Sequence, residues 1–283
     1  MHSCPLLEKY RGQWFVIKMG GELAMDKRAL ADSLGECLRQ LLEAGVKVVL
    51  VHGGGPQATA LSKRLGIETR QVAGQRITDE ATMEVIKMVL AGQVSSDVAS
   101  ALRMAQVPAL CLSGLSAGLV QAERLQGIFE KPGGPLVDLG LVGRVCRVDT
   151  ALLEKLSGLG LMPVLSSLAD DGQGNPLNVN ADSLAAVLAK SLKATHLFLI
   201  SNVPGVLEEL SNPQSRLPHL NAQQVAHLIA TQKIYGGMLP KVEGALLAAR
   251  ESQTRVQLLG LHPADSLLQA LKHPGSVGTT IEV

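Results

Sequence analysis

The sequence predicts an α/β fold in which a mostly parallel central sheet is sandwiched by helices in three layers, arranged as two lobes. Along 283 residues, short β-rich apolar runs alternate with longer segments of helical period, an order typical of parallel sheets covered by helices. Glycine-rich turns follow several of the predicted strands. A chain of this length suits one large unit, and we expect lobes at 1–168 and 169–283, with the boundary near Leu168.

The opening of the chain predicts a strand–helix–strand–helix unit. The first predicted strand, Gln13–Met19, leads through a Gly-Gly turn into a helix with leucines on one face, which ends at Gly45. The second strand, Lys47–His52, is followed by a helix that Pro56 opens and that ends near Gly66.

The rest of the chain continues this alternation, apart from a turn-rich segment. Residues Gln121 to Val148 contain KPGGP and predict hairpins at the sheet edge or over a cleft. The other predicted elements are a helix capped by Thr78 or Asp79, a helix reaching Gln106, a strand at 108–112, a helix from Thr150, a strand at 162–168, a helix at 181–192, a strand at 196–201, helices at 221–231 and 240–251, a strand at 255–260 and a closing GTTIEV strand.

Composition narrows the class of protein. With 26 Lys+Arg against 25 Asp+Glu, the formal charge of +1 favours neither nucleic acid nor an anionic membrane as a partner. The four cysteines form no C-x-x-C pair, which argues against zinc and against a disulfide framework. No uninterrupted apolar run approaches the roughly 18 residues of a membrane span, and the start does not resemble a signal peptide. We therefore expect a soluble cytoplasmic protein.

Lys18 ends the first predicted strand, directly before the turn that contains Gly20 and Gly21. An ammonium group and bare backbone N–H groups would then emerge together at the carboxyl edge of the sheet, which is an anion-binding arrangement. Taken alone, the same pattern is also that of a tight turn beside a solvated lysine.

Three successive glycines, Gly53, Gly54 and Gly55, lie between the second strand and the next helix. Without Cβ atoms, this turn lets an oxyanion or carboxylate approach the backbone N–H groups. The stretch also fits a dinucleotide-binding pattern whose acidic residue would be Glu68 or Asp79, and that alternative stays open. No G-x-x-x-x-G-K-[ST] motif occurs, so any ATP would be bound without a P-loop.

Two polar motifs add candidate ligands for a carboxylate. Arg76 precedes a predicted helix, and its guanidinium could bind a carboxylate through two parallel hydrogen bonds or pair with a nearby acidic residue at the surface. Asn178, Asn180 and Asp182 occupy alternating positions, so in an extended segment all three would face one side. Helix capping would explain one of these three residues, but not the set.

Lys241 lies in the first turn of a helix that Pro240 opens, shortly after Gly236 and Gly237. A cation at a helix N-terminus opposes the helix dipole and is normally disfavoured there. The position therefore suggests a bound anion, and an ordinary exposed lysine is the alternative.

The order of these motifs resembles that of the amino acid kinase family. The chain contains, in sequence, VIKMGG, VHGGGP, GQRITDEATMEV, LGLVGRV, LNVNAD, SNVPGVL, GGMLPKV and GTTI, and the resemblance extends from about Phe15 to Ile281. It implies a carbamate-kinase-like three-layer αβα fold whose amino-terminal lobe also forms the dimer contact. It also implies that this lobe binds an amino-acid substrate, that the carboxy-terminal lobe binds ATP, and that a phosphoryl group is transferred to a carboxylate.

The resemblance also implies roles for individual residues. Lys18 and Lys241 would contact the transferring phosphoryl group, and Asp182 would orient both lysines. The acceptor would be held by Gly53, Gly54, Gly55, Arg76, Asn178 and Asn180. ATP would be held by Lys18, Gly20, Gly21, Ser201, Asn202, Gly205, Gly237, Met238 and Lys241, with Mg²⁺ carried by the nucleotide phosphates and with no metal ligand from the protein.

Within the family, the motifs are most similar to those of the branch that phosphorylates the γ-carboxylate of N-acetyl-L-glutamate in arginine biosynthesis. One alternative is a sister branch that acts on aminoadipate derivatives in lysine biosynthesis. Another is a non-catalytic regulatory protein with the same fold, because Asn202 stands where the family usually has an aspartate and the loop Ser113–Val120 lacks the usual charge. Only about a dozen residues precede the first strand, where arginine-inhibited members carry a helical arm, so we expect a homodimer.

Overall fold

The computed structural model describes residues 5–72, 74–129, 134–209, 211–234, 238–251, 254–262 and 264–282. Its strands are β1 (Trp14–Met19), β2 (Lys47–His52), β3 (Gln71–Val72), β4 (Gln75–Arg76), β5 (Ala109–Leu112), β6 (Val120–Arg124), β7 (Ile128–Phe129), β8 (Leu136–Val137), β9 (Val142–Val148), β10 (Met162–Ser166), β11 (Leu168–Asp170), β12 (Pro176–Val179), β13 (His196–Ser201), β14 (His219–Leu220), β15 (Arg255–Gly260) and β16 (Thr279–Ile281). Eight of them form the central sheet, in the order β14-β16-β15-β13-β1-β2-β10-β5. Neighbours in this sheet are parallel except β15 and β16, so the predicted mostly parallel sheet is confirmed.

Helices cover both faces of the sheet. They are α1 (Pro5–Glu8), α2 (Lys27–Leu30), α3 (Glu36–Glu43), α4 (Gly55–Arg64), α5 (Glu80–Lys87), α6 (Ser95–Met104), α7 (Thr150–Gly158), α8 (Ala181–Ser191), α9 (Ala222–Ala230), α10 (Met238–Glu251) and α11 (Ser266–Lys272). The alternation of side chains along β1 divides the core in two. Phe15 and Ile17 pack with helices on one face, whereas Val16 packs with helices on the other. The predicted three-layer αβα fold is confirmed.

The central strands are buried on both faces, which explains why their sequences are apolar throughout. All six residues of β1 are buried, and so are all six residues of β13. β2, β13 and β15 begin and end at the residues that the sequence predicted. The strands that carry the site are therefore held by the most buried part of the fold.

The segment Glu80–Met104 is one continuous helix of 25 residues, so the prediction of two separate helices is wrong. A π-helical stretch, Met88–Val94, joins α5 to α6 without breaking the helix. By length and composition this helix could cross a membrane, and half of its most apolar window is buried in the protein. Val85, Val89 and Val98 are fully buried in the core that lies on one face of the sheet.

The predicted hairpin region is largely confirmed. β6 pairs antiparallel with β9, and these strands close a small barrel with β11 and β12. β7 and β8 form a two-stranded hairpin, and residues 130–133 of its connection lie outside the described residues. The sequence did not predict the short hairpin β3–β4, the edge strand β14 or helix α11.

Two buried histidines make stability depend on pH. His196 lies among Tyr10, Phe15 and Phe198, and burial, with the positive charges of Arg255 and Lys9, lowers its pKa to about 4. Burial likewise lowers the pKa of His52 to about 4. Between about pH 6.5 and pH 4 the unfolded chain binds protons that the folded chain does not, so the free energy of unfolding falls as the pH falls.

We expect each of these histidines to lower the free energy of unfolding by on the order of 2 kcal/mol between pH 7 and pH 5. His196→Gln removes one of these two contributions, so about half of the pH dependence that the two histidines cause should disappear. Urea unfolding at pH 7 and pH 5 measures this change in the free energy of unfolding. His273→Gln, at an exposed histidine, is the control. Equal pH dependence in the wild type and in His196→Gln would contradict the prediction.

Candidate active site

Two glycine turns meet at the carboxyl edge of the sheet. β1 and β2 are parallel neighbours, so the turns that follow them emerge side by side. A Cβ atom on Gly21 would lie 2.6 Å from the Cα of Gly54 and 2.8 Å from the carbonyl oxygen of Gly53. Only glycine allows this approach of backbone to backbone. The two motifs that the sequence singled out therefore form one surface.

A cavity of about 250 Å³ opens beside this surface. It lies between the glycine turn, the β3–β4 hairpin and the segment that leads into α8. Its lining includes seven of the predicted site residues: Gly53, Gly54, Gly55, Arg76, Asn178, Asn180 and Asp182. Among the described backbone groups, the N–H groups of Gly54 and Gly55 have no acceptor, because α4 begins there. These donors suit an anion or a carboxylate.

Lys18 and Asp182 form a buried ion pair. The Nζ atom of Lys18 lies 2.9 Å from Oδ1 of Asp182, and the two side chains are 7% and 10% exposed. Lys18 reaches this position from β1, and Asp182 from the first turn of α8, which packs on β1. Because a buried charge is costly unless it is paired, each of these groups holds the other in place.

Lys241 joins this pair from α10, which packs against α8. Burial and the positive charge of Lys18 lower the pKa of Lys241, and the carboxylates of Asp182 and Glu22 partly offset this effect. Within the described part of the chain, no hydrogen bond or ion pair engages the Lys241 ammonium. Because no described residue forms an ion pair with it, the Lys241 ammonium is available to bind an anion.

Arg76 lies in β4, inside the hairpin that covers the cavity. Its Nη2 atom donates hydrogen bonds to Oγ1 of Thr59 at 2.7 Å and to the Gly55 carbonyl at 3.2 Å. Its Nη1 atom is buried and has no hydrogen-bond partner among the described residues. Burial also lowers the pKa of Arg76, but a guanidinium stays charged at neutral pH. One edge of the fork is thus anchored, and the other is free to bind a carboxylate.

The expectation that Asn178, Asn180 and Asp182 share one face of an extended segment is wrong. The strand β12 ends at residue 179, after which Asn180 caps α8 by accepting a hydrogen bond from the Ser183 N–H at 3.0 Å. Helix capping is favoured over a continued extended segment because the first four N–H groups of a helix need acceptors. All three residues nevertheless line the cavity, since the strand end and the first helical turn meet there.

A second, narrower cavity, of about 40 Å³, lies next to the first residue of α10. It is lined by Val203, Gly205, Val206, Leu207, Lys233, Ile234 and Met238, and thus contains two of the residues predicted to bind ATP. Ser201 is buried at the end of β13, and Asn202 is exposed next to it. Gly237 lies outside the described residues. Its lining is largely apolar, as in many ligand sites.

Sequence reasoning missed several residues at the site. Gln71, Gln75 and Ser167 line the main cavity, as do the apolar side chains of Ile86, Leu90 and Val142. Of these residues, only Ser167 could have been predicted from the sequence, because it directly follows a buried strand, β10, which is the neighbour of β2 in the sheet. Glu22 was also missed. In the structure its carboxylate lies against Gly20, so that a Cβ atom on Gly20 would be 2.2 Å from Oε1 of Glu22.

The fold and this site together define a class of protein. Residues 13–260 match the amino acid kinase family, and the chain belongs to that family.

More specific similarities exist within the family and around it. The chain is 43% identical over 269 residues to the acetylglutamate kinase of Anaeromyxobacter dehalogenans strain 2CP-C, a match that covers 94% of this chain and 98% of the relative. The crystal structure of smu.665 from Streptococcus mutans UA159 matches with a TM-score of 0.78 at 27% identity, covering 95% of this chain and 98% of that one. Carbamate kinase from Giardia lamblia shares the fold with a TM-score of 0.67 at 17% identity, covering 96% and 98%. The carbamate-kinase-like architecture expected from the sequence is therefore confirmed.

Proposed function

We propose that this chain is an acetylglutamate kinase, which transfers the γ-phosphoryl group of ATP to the γ-carboxylate of N-acetyl-L-glutamate in arginine biosynthesis. The observation that carries the proposal is the buried Lys18–Asp182 pair with the Lys241 ammonium nearby, which has no ion-pair partner among the described residues. Asp182 lines the same cavity as the three successive glycines. Relatives near 40% identity over 94% of the chain carry that name, which supports the choice of acceptor.

The reaction needs positioning and charge neutralisation more than acid–base chemistry. A carboxylate acceptor is already ionised at neutral pH, so no general base has to remove a proton. One carboxylate oxygen forms a bond to the γ-phosphorus while the bond from that phosphorus to the bridging oxygen breaks, and ADP leaves. Lys18 and Lys241 would neutralise the charge on the transferring group, and Asp182 would hold Lys18 in place.

We propose that residues 1–168 hold the acceptor and contribute the dimer contact, and that residues 169–283 hold ATP. The acceptor would lie in the main cavity with its α-carboxylate on Arg76, while Gly20 and Gly21 would meet the phosphates. Gly205 and Met238 in the narrower cavity support an adenine site there. Mg²⁺ would be carried by the nucleotide phosphates and would help to neutralise their charge. Among the described residues, no group of three or more His, Cys, Asp or Glu side chains is placed to hold a metal.

An ADP-release assay with several acceptors tests the proposed function. With Mg-ATP, N-acetyl-L-glutamate should give the highest kcat/KM, above N-acetyl-L-aminoadipate and free L-glutamate. Preference for an aminoadipate derivative would move the chain to the sister branch. Calorimetric binding of N-acetyl-L-glutamate without any ADP release would instead favour a non-catalytic regulatory protein.

Replacing Arg76 by lysine should raise the KM for the acceptor and leave the KM for ATP nearly unchanged. Lysine keeps the positive charge but loses the planar fork, so the paired hydrogen bonds to a carboxylate are lost. A loss of about 1.5–3 kcal/mol of binding corresponds to roughly a 10- to 150-fold increase in KM. Arg103→Lys, at an exposed position of α6, is the matched control. An unchanged acceptor KM in Arg76→Lys would remove Arg76 from the acceptor site.

We further propose that the protein is a cytoplasmic homodimer. The near-neutral charge and the absence of C-x-x-C pairs in the sequence support the first part. The resemblance to the amino acid kinase family supports the second part. Mass photometry should give a species near twice 29.8 kDa, and a hexamer would contradict the proposal.

A further inference from the structure

His52 is fully buried at the end of β2, directly before the glycine turn, and no step of the proposed reaction uses it. Its Nε2 atom lies 3.0 Å from Oγ of Ser95, and its Nδ1 atom lies 3.1 Å from the carbonyl oxygen of Gly53. Ser95 begins α6, 43 residues further along the chain, and its hydroxyl lies 2.8 Å from the carbonyl oxygen of Leu90. A buried imidazole therefore joins the glycine turn to the long helix behind it.

The number of protons in this network restricts the state of the ring. Because burial lowers the pKa of His52 to about 4, the imidazole is neutral at pH 7 and carries one N–H. If that hydrogen were on Nε2, the lone pair of Nδ1 would face the lone pairs of the Gly53 oxygen across 3.1 Å. With the hydrogen on Nδ1, the ring donates to Gly53 and accepts from the Ser95 hydroxyl. The Leu90 carbonyl then loses that donor, a smaller cost, since an under-satisfied carbonyl is tolerated better than two opposed acceptors.

The Gly53 carbonyl controls the direction of the next N–H group. In a planar trans peptide the C=O and N–H bonds point in opposite directions. A Gly53 carbonyl held toward the imidazole therefore turns the Gly54 N–H away from His52. Gly54 itself is wedged against the long helix, because a Cβ atom there would lie 2.6 Å from Cδ2 of Leu90. The turn is thus confined by packing on one side and by a hydrogen bond on the other.

We propose that His52 is a positioning residue, which donates from Nδ1 to the Gly53 carbonyl and so aims the Gly54 N–H group into the reaction site. Ser95 orients the ring by donating to Nε2. This inference rests on the proposed function in one respect only, namely that the glycine turn binds the reacting groups. The residues that contact the reactants would be the glycines, and His52 acts through them.

Two substitutions test the contacts of the two ring nitrogens separately. The amide of asparagine reaches about as far as Nδ1, so His52→Asn can still donate to the Gly53 carbonyl. The amide of glutamine reaches about as far as Nε2, so His52→Gln keeps the contact with Ser95 and loses the one with Gly53. We expect kcat to fall about 10- to 100-fold in His52→Gln, and by only a few-fold in His52→Asn, with similar losses of unfolding free energy. KM for both substrates should change less than kcat.

A second measurement does not depend on activity. In ¹⁵N-histidine-labelled wild-type protein, the His52 ring, identified among the seven histidines by its loss in His52→Asn, should show a protonated Nδ1 and an unprotonated Nε2 at pH 7. A ring protonated on Nε2 would overturn the inference, and so would equal loss of kcat in the Asn and Gln variants. If the wild type phosphorylates none of the tested acceptors, the proposed function fails. The measurement on the His52 ring still tests the inference about His52 in that case.

Discussion

Replacing Lys241 by alanine should leave a folded protein that has lost most of its turnover. Its ammonium has no ion-pair partner among the described residues, and burial together with the Lys18 charge already disfavours the charged form. Removing it therefore leaves no buried charge unpaired. In the reaction it would oppose the charge of the transferring phosphoryl group, and the loss of one such preorganised group costs about 10²- to 10³-fold in kcat.

Steady-state ADP release and thermal unfolding together measure this effect. Lys272→Ala, which removes an exposed lysine from the end of α11, is the matched control and should keep wild-type turnover. Lys241→Ala should unfold at nearly the wild-type temperature. Turnover in Lys241→Ala within a few-fold of the wild type would remove this residue from the phosphoryl site.

Lys18 is a less clean test of the same idea, because the structure gives it a second role. Lys18 is paired with Asp182 at 2.9 Å, and both side chains are buried. Removing one partner of a buried ion pair typically costs about 3–5 kcal/mol of stability. Lost activity in Lys18→Ala could therefore reflect lost folding, so Lys241 is the better position.

Gly21→Ala is expected to cause the second large loss of turnover. The new Cβ atom would lie 2.6 Å from the Cα of Gly54 and 2.8 Å from the carbonyl oxygen of Gly53, and these backbone atoms cannot rotate away as a side chain would. The two glycine turns must then move apart by about 1 Å. A misplacement of this size in a reaction site can cost on the order of 10²-fold in rate.

Gly158→Ala is the control for this substitution. Gly158 is the last residue of α7, and a Cβ atom there would have no heavy atom within 4 Å. This variant should keep wild-type kcat, whereas Gly21→Ala should lose kcat with only a moderate loss of unfolding free energy, about 1–3 kcal/mol. Full activity in Gly21→Ala would show that the distance between the turns does not limit the reaction.

Much of the site could be predicted because its parts are local motifs. A lysine at the end of a buried strand, a run of glycines before a helix and an asparagine that can cap a helix all depend on neighbours within a few residues. Arg76 was also found as a candidate from its local sequence. Its β3–β4 hairpin was missed, because two-residue strands carry almost no periodic signal and owe their place to packing over the cavity.

The alternation of strands and helices, the parallel sheet and the glycine turns follow from the amino-acid sequence, because apolar period and turn chemistry act over short stretches of chain. Which distant groups meet depends on the folded structure. It paired Asp182 with Lys18, left Lys241 without an ion pair among the described residues, and set His52 against Ser95. Such contacts depend on how whole helices pack on the sheet, and no local pattern in the chain encodes that packing.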